Sequence, residues 1–157
     1  MRIGYGYDVH RLEKNRKLIL GGEEIEFEKG LQGHSDADVL IHAIIDSILG
    51  ALAKGDIGIL FPDSDEKFKN IDSRILLRKT FEIMKKESYK IGNLDSTICA
   101  EKPKLQNYID QMRTNIASDL HTEIRNISIK ATTEEKMGFT GEGNGISATA
   151  VILLQST

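Results

Sequence analysis

Asp8, His10 and His42 are candidate metal ligands. Asp8 and His10 are two residues apart, and side chains at that spacing project from the same face of a β-strand. His42 lies in an apolar stretch with helical spacing, where a surface histidine is not expected. A carboxylate and two imidazoles can hold a tetrahedral zinc ion and leave its fourth position open for a substrate. Spacing alone also allows the alternative of two packed histidines and an aspartate that ends a strand.

Residue types that bind phosphate occur at three places. His34 and Ser35 precede a predicted helix, whose free N–H groups and positive dipole end attract anions. Pro103 is expected to start a second helix of this kind. Thr133 and Glu135 follow a predicted strand, where hydroxyls and a carboxylate can hold a phosphate and a bridging metal ion. Simple helix capping and a polar turn are the alternatives.

An acidic loop forms a further candidate site. Residues 55–58 (GDIG) and 61–65 (FPDSD) contain three aspartates, and their glycines and proline favour a rigid turn. Such a loop can donate and accept hydrogen bonds with sugar or polyol hydroxyls. A solvated connection between two helices is the alternative.

Composition narrows the class of protein. The 157 residues carry a net charge of −3, without the basic surface that nucleic-acid binding requires. No apolar run is long enough to span a membrane, and no secretory signal is expected after Arg2. Cys99 is the only cysteine, which excludes an intrachain disulfide and favours the cytoplasm. It lies in an apolar alternating run, so we interpret it as a core residue. The chain is therefore expected to be a small cytoplasmic enzyme or binding protein.

Hydrophobic periodicity predicts the elements that position these residues. Strands are expected at 2–12, 93–101, 127–132 and 146–154, and a hairpin around Gly21 and Gly22. Helices are expected from a cap at Ser35 or Asp36 to Lys54, from 72 to 86 and from 104 to 121. In the first helix, Asp38 and Asp46 lie four residues to either side of His42, where either carboxylate is expected to orient its ring.

This order of elements predicts an α+β fold with two layers. A mixed four-stranded sheet, with a small additional hairpin, is covered by helices on one face. The whole chain, residues 1–157, is expected to form one domain. A partner subunit is the expected cover for the other face of the sheet.

Five sequence blocks, in order, resemble those of the 2-C-methyl-D-erythritol 2,4-cyclodiphosphate synthase family. They are residues 2–10 (RIGYGYDVH), 34–42 (HSDADVLIH), 55–58 (GDIG), 61–65 (FPDSD) and 130–141 (KATTEEKMGFTG). The resemblance extends over residues 2–154 and implies an enzyme of the non-mevalonate isoprenoid pathway. Its substrate would be 4-diphosphocytidyl-2-C-methyl-D-erythritol 2-phosphate, whose 2-phosphate attacks its own β-phosphorus. The cyclic diphosphate forms and CMP leaves.

The resemblance also implies roles for individual residues. Zn²⁺ would be held by Asp8, His10 and His42, and Mg²⁺ or Mn²⁺ would bridge the phosphates near Glu135. The residues matching His34 and Thr133 would stabilise the transition state. The remaining substrate contacts would come from Asp8, Val9, His10, His34 and Ser35; from Asp56, Ile57, Gly58, Phe61, Pro62, Asp63, Ser64 and Asp65; from Ala100, Glu101, Lys102, Pro103, Lys104, Leu105 and Gln106; and from Ala131, Thr132, Thr133, Glu134, Glu135, Phe139 and Glu142. The family forms homotrimers, with sheets facing a central axis and active sites between subunits.

Three positions depart from the pattern of the family. Glu142 stands where an arginine is frequent, and in several relatives that arginine faces the trimer axis and can bind an isoprenoid diphosphate. A carboxylate would repel that ligand, so we expect no such binding in this chain. Thr149 replaces a glutamate of some members, and Glu134 adds a negative charge beside Glu135. The alternatives to a synthase are a metal-dependent phosphohydrolase and a non-catalytic trimeric metabolite-binding protein with a structural zinc.

Overall fold

The computed structural model describes residues 1–157, which form seven strands and five helices. The strands are β1 (Arg2–Lys14), β2 (Leu18–Leu20), β3 (Glu23–Ile25), β4 (Lys29–Leu31), β5 (Tyr89–Cys99), β6 (Ile127–Thr132) and β7 (Gly145–Ser156). The helices are α1 (Val39–Ala51), α2 (Ile57–Leu60), α3 (Ser73–Lys86), α4 (Ile109–Asp119) and α5 (Gly138–Gly141). Short 3-10 turns lie at Glu66–Phe68, Gln106–Tyr108 and Ile124–Asn126. The α+β class and the predicted order of the main elements are confirmed.

The main sheet is mixed and has five strands in the order β4-β1-β7-β5-β6. Only β5 and β6 are parallel, while the other neighbours are antiparallel. The prediction of four strands is wrong because β1 continues to Lys14 and its last residues pair with the short strand β4. The predicted hairpin is confirmed as the separate pair β2 and β3. Gly21 and Gly22 both have positive φ in its turn, a backbone conformation that favours glycine.

Helix α1 lies directly on strand β1 because the side of the strand that faces it carries glycines. A Cβ atom added to Gly4 would lie 1.8 Å from the carbonyl oxygen of Ser47, and one added to Gly6 would lie 1.9 Å from that of Ala43. The helix is apolar nearly all round, and its residues are buried except for Asp46 and Gly50. The apolar residues among them belong to one continuous hydrophobic cluster between the sheet and the helices. The close strand–helix contact therefore fixes how near α1 lies to β1.

The N-terminus of α1 is capped by Asp38, not by the predicted Ser35 or Asp36. The Asp38 carboxylate accepts a hydrogen bond from the backbone N–H of Ile41 at 3.1 Å. It also accepts the N–H groups of Gly21 at 3.0 Å and Gly22 at 2.7 Å, which ties the hairpin to the helix. Burial and the nearby Asp36 carboxylate raise the pKa of Asp38 to about 7. The tertiary contact with the hairpin thus determines that Asp38 caps the helix.

The other two predicted helices differ in how well their starts agree with the structure. Asp72 caps α3 as expected, since its side chain accepts a hydrogen bond from the N–H of Arg74 at 2.8 Å. The prediction that Pro103 starts a helix is wrong, because α4 begins only at Ile109 after a tighter 3-10 turn. Leu105, which precedes that turn, is buried in the hydrophobic core.

The face of the sheet opposite the helices exposes a row of large apolar side chains. Ile3, Tyr5, Tyr7 and Val9 of β1 and Val151 of β7 are between 42% and 72% exposed. They alternate with the helix-facing residues, as the spacing of β1 predicts. An apolar patch of this kind marks an interaction surface. None of the helices is both long enough and apolar enough to cross a lipid bilayer.

Candidate metal centre and adjoining cavities

Asp8, His10 and His42 meet at one point between β1 and α1. The Oδ2 atom of Asp8 lies 2.9 Å from Nε2 of His10 and 3.0 Å from Nδ1 of His42. The two histidine nitrogens are 3.2 Å apart. Asp8 and His10 follow Gly4 and Gly6 on the side of β1 that faces α1, so the close helix brings His42 to them. The predicted three-residue cluster is confirmed.

The donor atoms of this cluster fit a divalent metal ion. A tetrahedral zinc with bonds of about 2.0–2.1 Å separates its ligands by about 3.3 Å, close to the separations seen here. One carboxylate oxygen and two imidazole nitrogens are also ligand types that zinc accepts. Three protein donors leave the fourth position of a tetrahedral ion open for a further ligand.

The hydrogen bonds around both rings leave the inward nitrogens free. Nδ1 of His10 lies 2.7 Å from the carbonyl oxygen of Gln32. That oxygen can only accept, so Nδ1 carries a proton, and in the neutral ring Nε2 keeps the lone pair that a metal ion needs. Nε2 of His42 lies 2.9 Å from Oγ of Ser73 and 3.2 Å from Oγ of Ser35. Nδ1 of His42 thus faces the other two ligands.

The prediction that Asp38 or Asp46 orients His42 is wrong. Asp38 is engaged by the hairpin and the first turn of α1. Asp46 accepts the backbone N–H of Ile57 at 2.7 Å, and burial raises its pKa. The ring of His42 points across to β1 and the start of α3, away from its neighbours on α1.

Electrostatics favour a charged carboxylate in the cluster. Burial opposes the charge on Asp8, but the adjacent imidazoles of His10 and His42 prevail and lower the pKa of Asp8 to about 2. Burial likewise opposes the charge on His10, but Asp8 prevails and raises the pKa of that imidazole. Asp8 is therefore ionised at neutral pH and available as an anionic ligand.

A cavity of about 190 Å³ opens beside the cluster. Its walls include most of the predicted metal, phosphate and loop residues, namely Asp8, His10, His34, Ser35, His42, Ile57, Gly58, Phe61 and Asp63. Gly33, Phe68 and Leu76 also line it, and sequence reasoning missed them because an apolar residue facing a cavity has the same pattern as a core residue. Val9, Asp56, Pro62, Ser64 and Asp65 do not line it. Asp56 and Asp65 instead cap short helical turns.

A second cavity, of about 400 Å³, lies where β5 and β6 end side by side. It is lined by Ala100, Glu101, Pro103, Lys104, Leu105, Gln106, Ala131, Thr132 and Thr133, all of them predicted substrate contacts, and by Ile109, which was not predicted. Lys102 is not among its lining residues. Within one chain the two cavities share no lining residue.

The remaining predicted residues lie in the exposed segment after β6. Glu134 contacts the hydroxyl of Thr140, and Glu142 accepts a hydrogen bond from Nδ2 of Asn144 at 3.0 Å. Glu135 and Phe139 are exposed. None of these four lines either cavity. That Glu142 prevents the binding of an isoprenoid diphosphate stays a prediction. Cys99, interpreted from the sequence as a core residue, is half-buried at the end of β5.

Comparison with known proteins gives consistent matches over the full chain. The YgbB family model matches residues 1–155. The 2-C-methyl-D-erythritol 2,4-cyclodiphosphate synthase of Finegoldia magna is 66% identical over 154 residues, which are 98% of this chain and 97% of that protein. The synthase of Clostridioides difficile is 60% identical over 157 residues, or 100% and 98% of the two chains.

Solved structures agree with these sequence matches. The structure of Plasmodium falciparum IspF in complex with CDP is 39% identical with a TM-score of 0.87, and the match covers 99% of this chain and 96% of that one. The bifunctional IspDF of Campylobacter jejuni is 40% identical with a TM-score of 0.96. In that case the match covers 99% of this chain but 42% of the longer protein.

Proposed function

The chain belongs to the YgbB family, and from this membership we propose how its residues carry out the reaction of the synthases it matches. The chain is a lyase. It converts 4-diphosphocytidyl-2-C-methyl-D-erythritol 2-phosphate to 2-C-methyl-D-erythritol 2,4-cyclodiphosphate and releases CMP. The observation that carries the proposal for the site is the Asp8–His10–His42 cluster beside a polar cavity.

We propose that Asp8, His10 and His42 hold Zn²⁺ and that Glu135 contributes to a second site for Mg²⁺ or Mn²⁺. The mixed oxygen and nitrogen donors of the first set suit zinc, and a carboxylate alone suits the harder ions. A divalent ion at the cluster supplies Lewis-acid chemistry and offsets the negative charge of phosphate oxygens. Asp8 is ready for this role because it is ionised at neutral pH.

The substrate has two chemically different ends, and we assign them to the two cavities. The cavity at the ends of β5 and β6 takes the cytidine and its phosphates, mainly through backbone groups of residues 100–106 and 131–135. The smaller cavity takes the methylerythritol part, against Ile57, Gly58 and Asp63. Asp56 holds the turn in place because it caps α2.

The reaction is intramolecular, so it needs no protein nucleophile. An oxygen of the 2-phosphate attacks the β-phosphorus, the bond from that phosphorus to the bridging oxygen breaks, and CMP leaves with the electron pair. Folding the substrate between the cavities brings these atoms together. The imidazole of His34 and the hydroxyl of Thr133 are placed in the two cavity walls, where we propose that they donate hydrogen bonds to phosphate oxygens as charge develops.

Phosphorus NMR of the purified protein with zinc, magnesium and the cytidyl substrate tests this function. We expect coupled cyclic-diphosphate signals that appear in step with CMP. CMP together with a linear diphosphate would identify a hydrolase on the same scaffold. No turnover by folded, metal-loaded protein would support a non-catalytic binding protein.

We propose that the chain forms a homotrimer through the exposed apolar face of the sheet, with active sites between subunits. Burying Tyr5, Tyr7 and Val151 against copies of the same face would remove a large apolar surface from water. An interface would also bring the small cavity of one subunit to the large cavity of the next. This arrangement would unite two cavities that share no residue within one chain.

The change Tyr5→Glu tests the trimer. Three carboxylates at the centre of an apolar interface would be desolvated and would repel one another, so we expect monomers and at least about a 100-fold loss of activity. Light scattering after size-exclusion chromatography measures the mass. Ile124→Glu is the matched control, since Ile124 is also exposed and lies outside the sheet face. A wild-type monomer with full activity would contradict the proposal.

We also propose that the enzyme works in the cytoplasm. Cys99, its only cysteine, is half-buried at the end of β5 and has no partner for a disulfide. Free thiols of this kind persist in a reducing compartment. The proposal agrees with a substrate that is a small, highly charged metabolite.

A further inference from the structure

Next to the candidate metal centre lies a short chain of polar groups whose members do not line the small cavity. Ser73, the first residue of α3, is fully buried, and its Oγ atom lies 2.9 Å from Nε2 of His42. The hydroxyl of Ser73 contacts Oδ1 of Asp36. The metal ligand is thus connected through one hydroxyl to a carboxylate from the loop before α1.

The direction of these hydrogen bonds follows from the Asp36 carboxylate. Its Oδ2 accepts the backbone N–H of Ser73 at 3.0 Å, and its Oδ1 accepts that of Asp38 at 3.1 Å. A carboxylate with donors on both oxygens is an acceptor only, so the Ser73 hydroxyl must donate its proton to Asp36. The oxygen of Ser73 is then left to accept, and His42 must supply the proton from Nε2. This leaves Nδ1 of His42 as the bare nitrogen, the one that faces Asp8 and His10.

Ser35 does not impose the same direction. Its Oγ atom is farther from Nε2 of His42, at 3.2 Å, and accepts the backbone N–H of Ala37 at 3.1 Å. No carboxylate fixes where its own proton points, and the side chain lines the cavity. Ser35 is therefore free to turn its hydroxyl toward a substrate, whereas Ser73 is not.

We propose that Ser73 and Asp36 are positioning residues that keep His42 in the tautomer with its proton on Nε2 and aim Nδ1 at the metal. The inference rests on the proposed metal site. Outer partners of this kind fix ring orientation and raise the basicity of the ligand nitrogen, and their loss typically lowers metal affinity by about 10- to 100-fold. Asp36, in the loop before α1, and Ser73, in the first turn of α3, therefore act together on His42, which lies in α1 itself.

The variant Ser73→Ala tests the proposal. We expect zinc affinity, measured by competition with a chromophoric chelator, to fall by about 10- to 100-fold. Ser47→Ala is the matched control: Ser47 is also fully buried in a helix, but its hydroxyl bonds the carbonyl of Ile44. We expect the control to keep the wild-type affinity within about twofold, because its hydroxyl lies outside the ligand network.

Nitrogen-15 NMR of the histidine rings in the metal-free protein gives a readout that does not depend on activity. We expect the wild-type spectrum to show His42 protonated on Nε2, and the Ser73→Ala spectrum to show a mixture of tautomers. Asp36→Asn, which lets the Ser73 hydroxyl reverse, is a second variant expected to give that mixture. Unchanged affinity and an unchanged tautomer in Ser73→Ala would overturn the proposal. A wild-type protein that binds no zinc would overturn the metal assignment instead, while the tautomer measurement still decides the role of Ser73.

Discussion

Replacing His42 by alanine is expected to lower kcat about 1000-fold or more and to remove the zinc ion proposed at this site. The variant keeps only Asp8 and His10 as ligands, and two ligands hold a divalent ion weakly. A Lewis acid on a reacting phosphate contributes several kcal/mol to transition-state stabilisation, which corresponds to a loss of this size. Metal content by mass spectrometry, CMP release and the melting temperature are measured on the same preparation.

The control for this prediction is His121→Ala. His121 is exposed, contacts the ring of Phe81 with centroids 4.7 Å apart, and lines neither of the two cavities. It is expected to keep zinc and activity. Full activity of His42→Ala without zinc would contradict the assignment of the site.

Removal of the metal by a chelator distinguishes an enzyme with a catalytic zinc from a non-catalytic protein with a structural zinc. Three protein ligands with an open position are typical of a catalytic zinc, whereas a structural site usually closes with four. The core of this chain is extensive and does not depend on the cluster. We therefore expect chelation to abolish activity and leave the helical circular dichroism signal intact. Unfolding on chelation would favour a structural zinc.

The change Gly6→Ala is expected to destabilise the fold by about 3 kcal/mol or more and to abolish activity with it. The new Cβ atom would lie 1.9 Å from the carbonyl oxygen of Ala43 and 2.7 Å from the backbone nitrogen of Ser47. Both are main-chain atoms of α1, so the whole helix must move away from β1. That movement would open the core and separate His42 from Asp8.

Urea unfolding measures the effect, with Gly50→Ala as the control. Gly50 lies in α1, and a Cβ atom there meets only the carbonyl oxygen of Tyr5, at an ordinary 3.7 Å. Alanine is the better helix former, so the control is expected to gain about 0.5–1 kcal/mol. A wild-type midpoint for Gly6→Ala would show that α1 does not rest on the strand as described.

Much of the fold and of the metal cluster follows from local patterns. Alternation in β1 places Asp8 and His10 on the glycine face, and the helical period places His42 within reach of them. Patterns of this kind hold because burial of one face decides both the element and its orientation. Strand β4 escaped prediction because three residues are too few to show alternation.

The parts that escaped prediction depend on contacts between distant segments. Three acidic or hydroxyl residues near position 36 have the chemistry of a helix cap, and only the N–H groups of the hairpin select Asp38. The hydrogen-bond partner of His42 is Ser73 of α3, 31 residues along the chain, whereas the i, i+4 spacing on a helix predicts Asp46. Phe68 lines the small cavity although its pattern is that of a core residue. Contacts of this kind can be identified only when the three-dimensional fold is known.

The pairing of the first strand with the last has a consequence for biosynthesis. Asp8 pairs with Ala148, and β7 lies between β1 and β5 in the middle of the sheet. The sheet therefore closes only after β7 has been synthesised, and the contact order of the fold is high. Folding is expected to be slow, because loop-closure entropy must be overcome before these contacts form. Until then the apolar face of β1 is exposed in the nascent chain, which makes this strand prone to aggregation while it is unpaired.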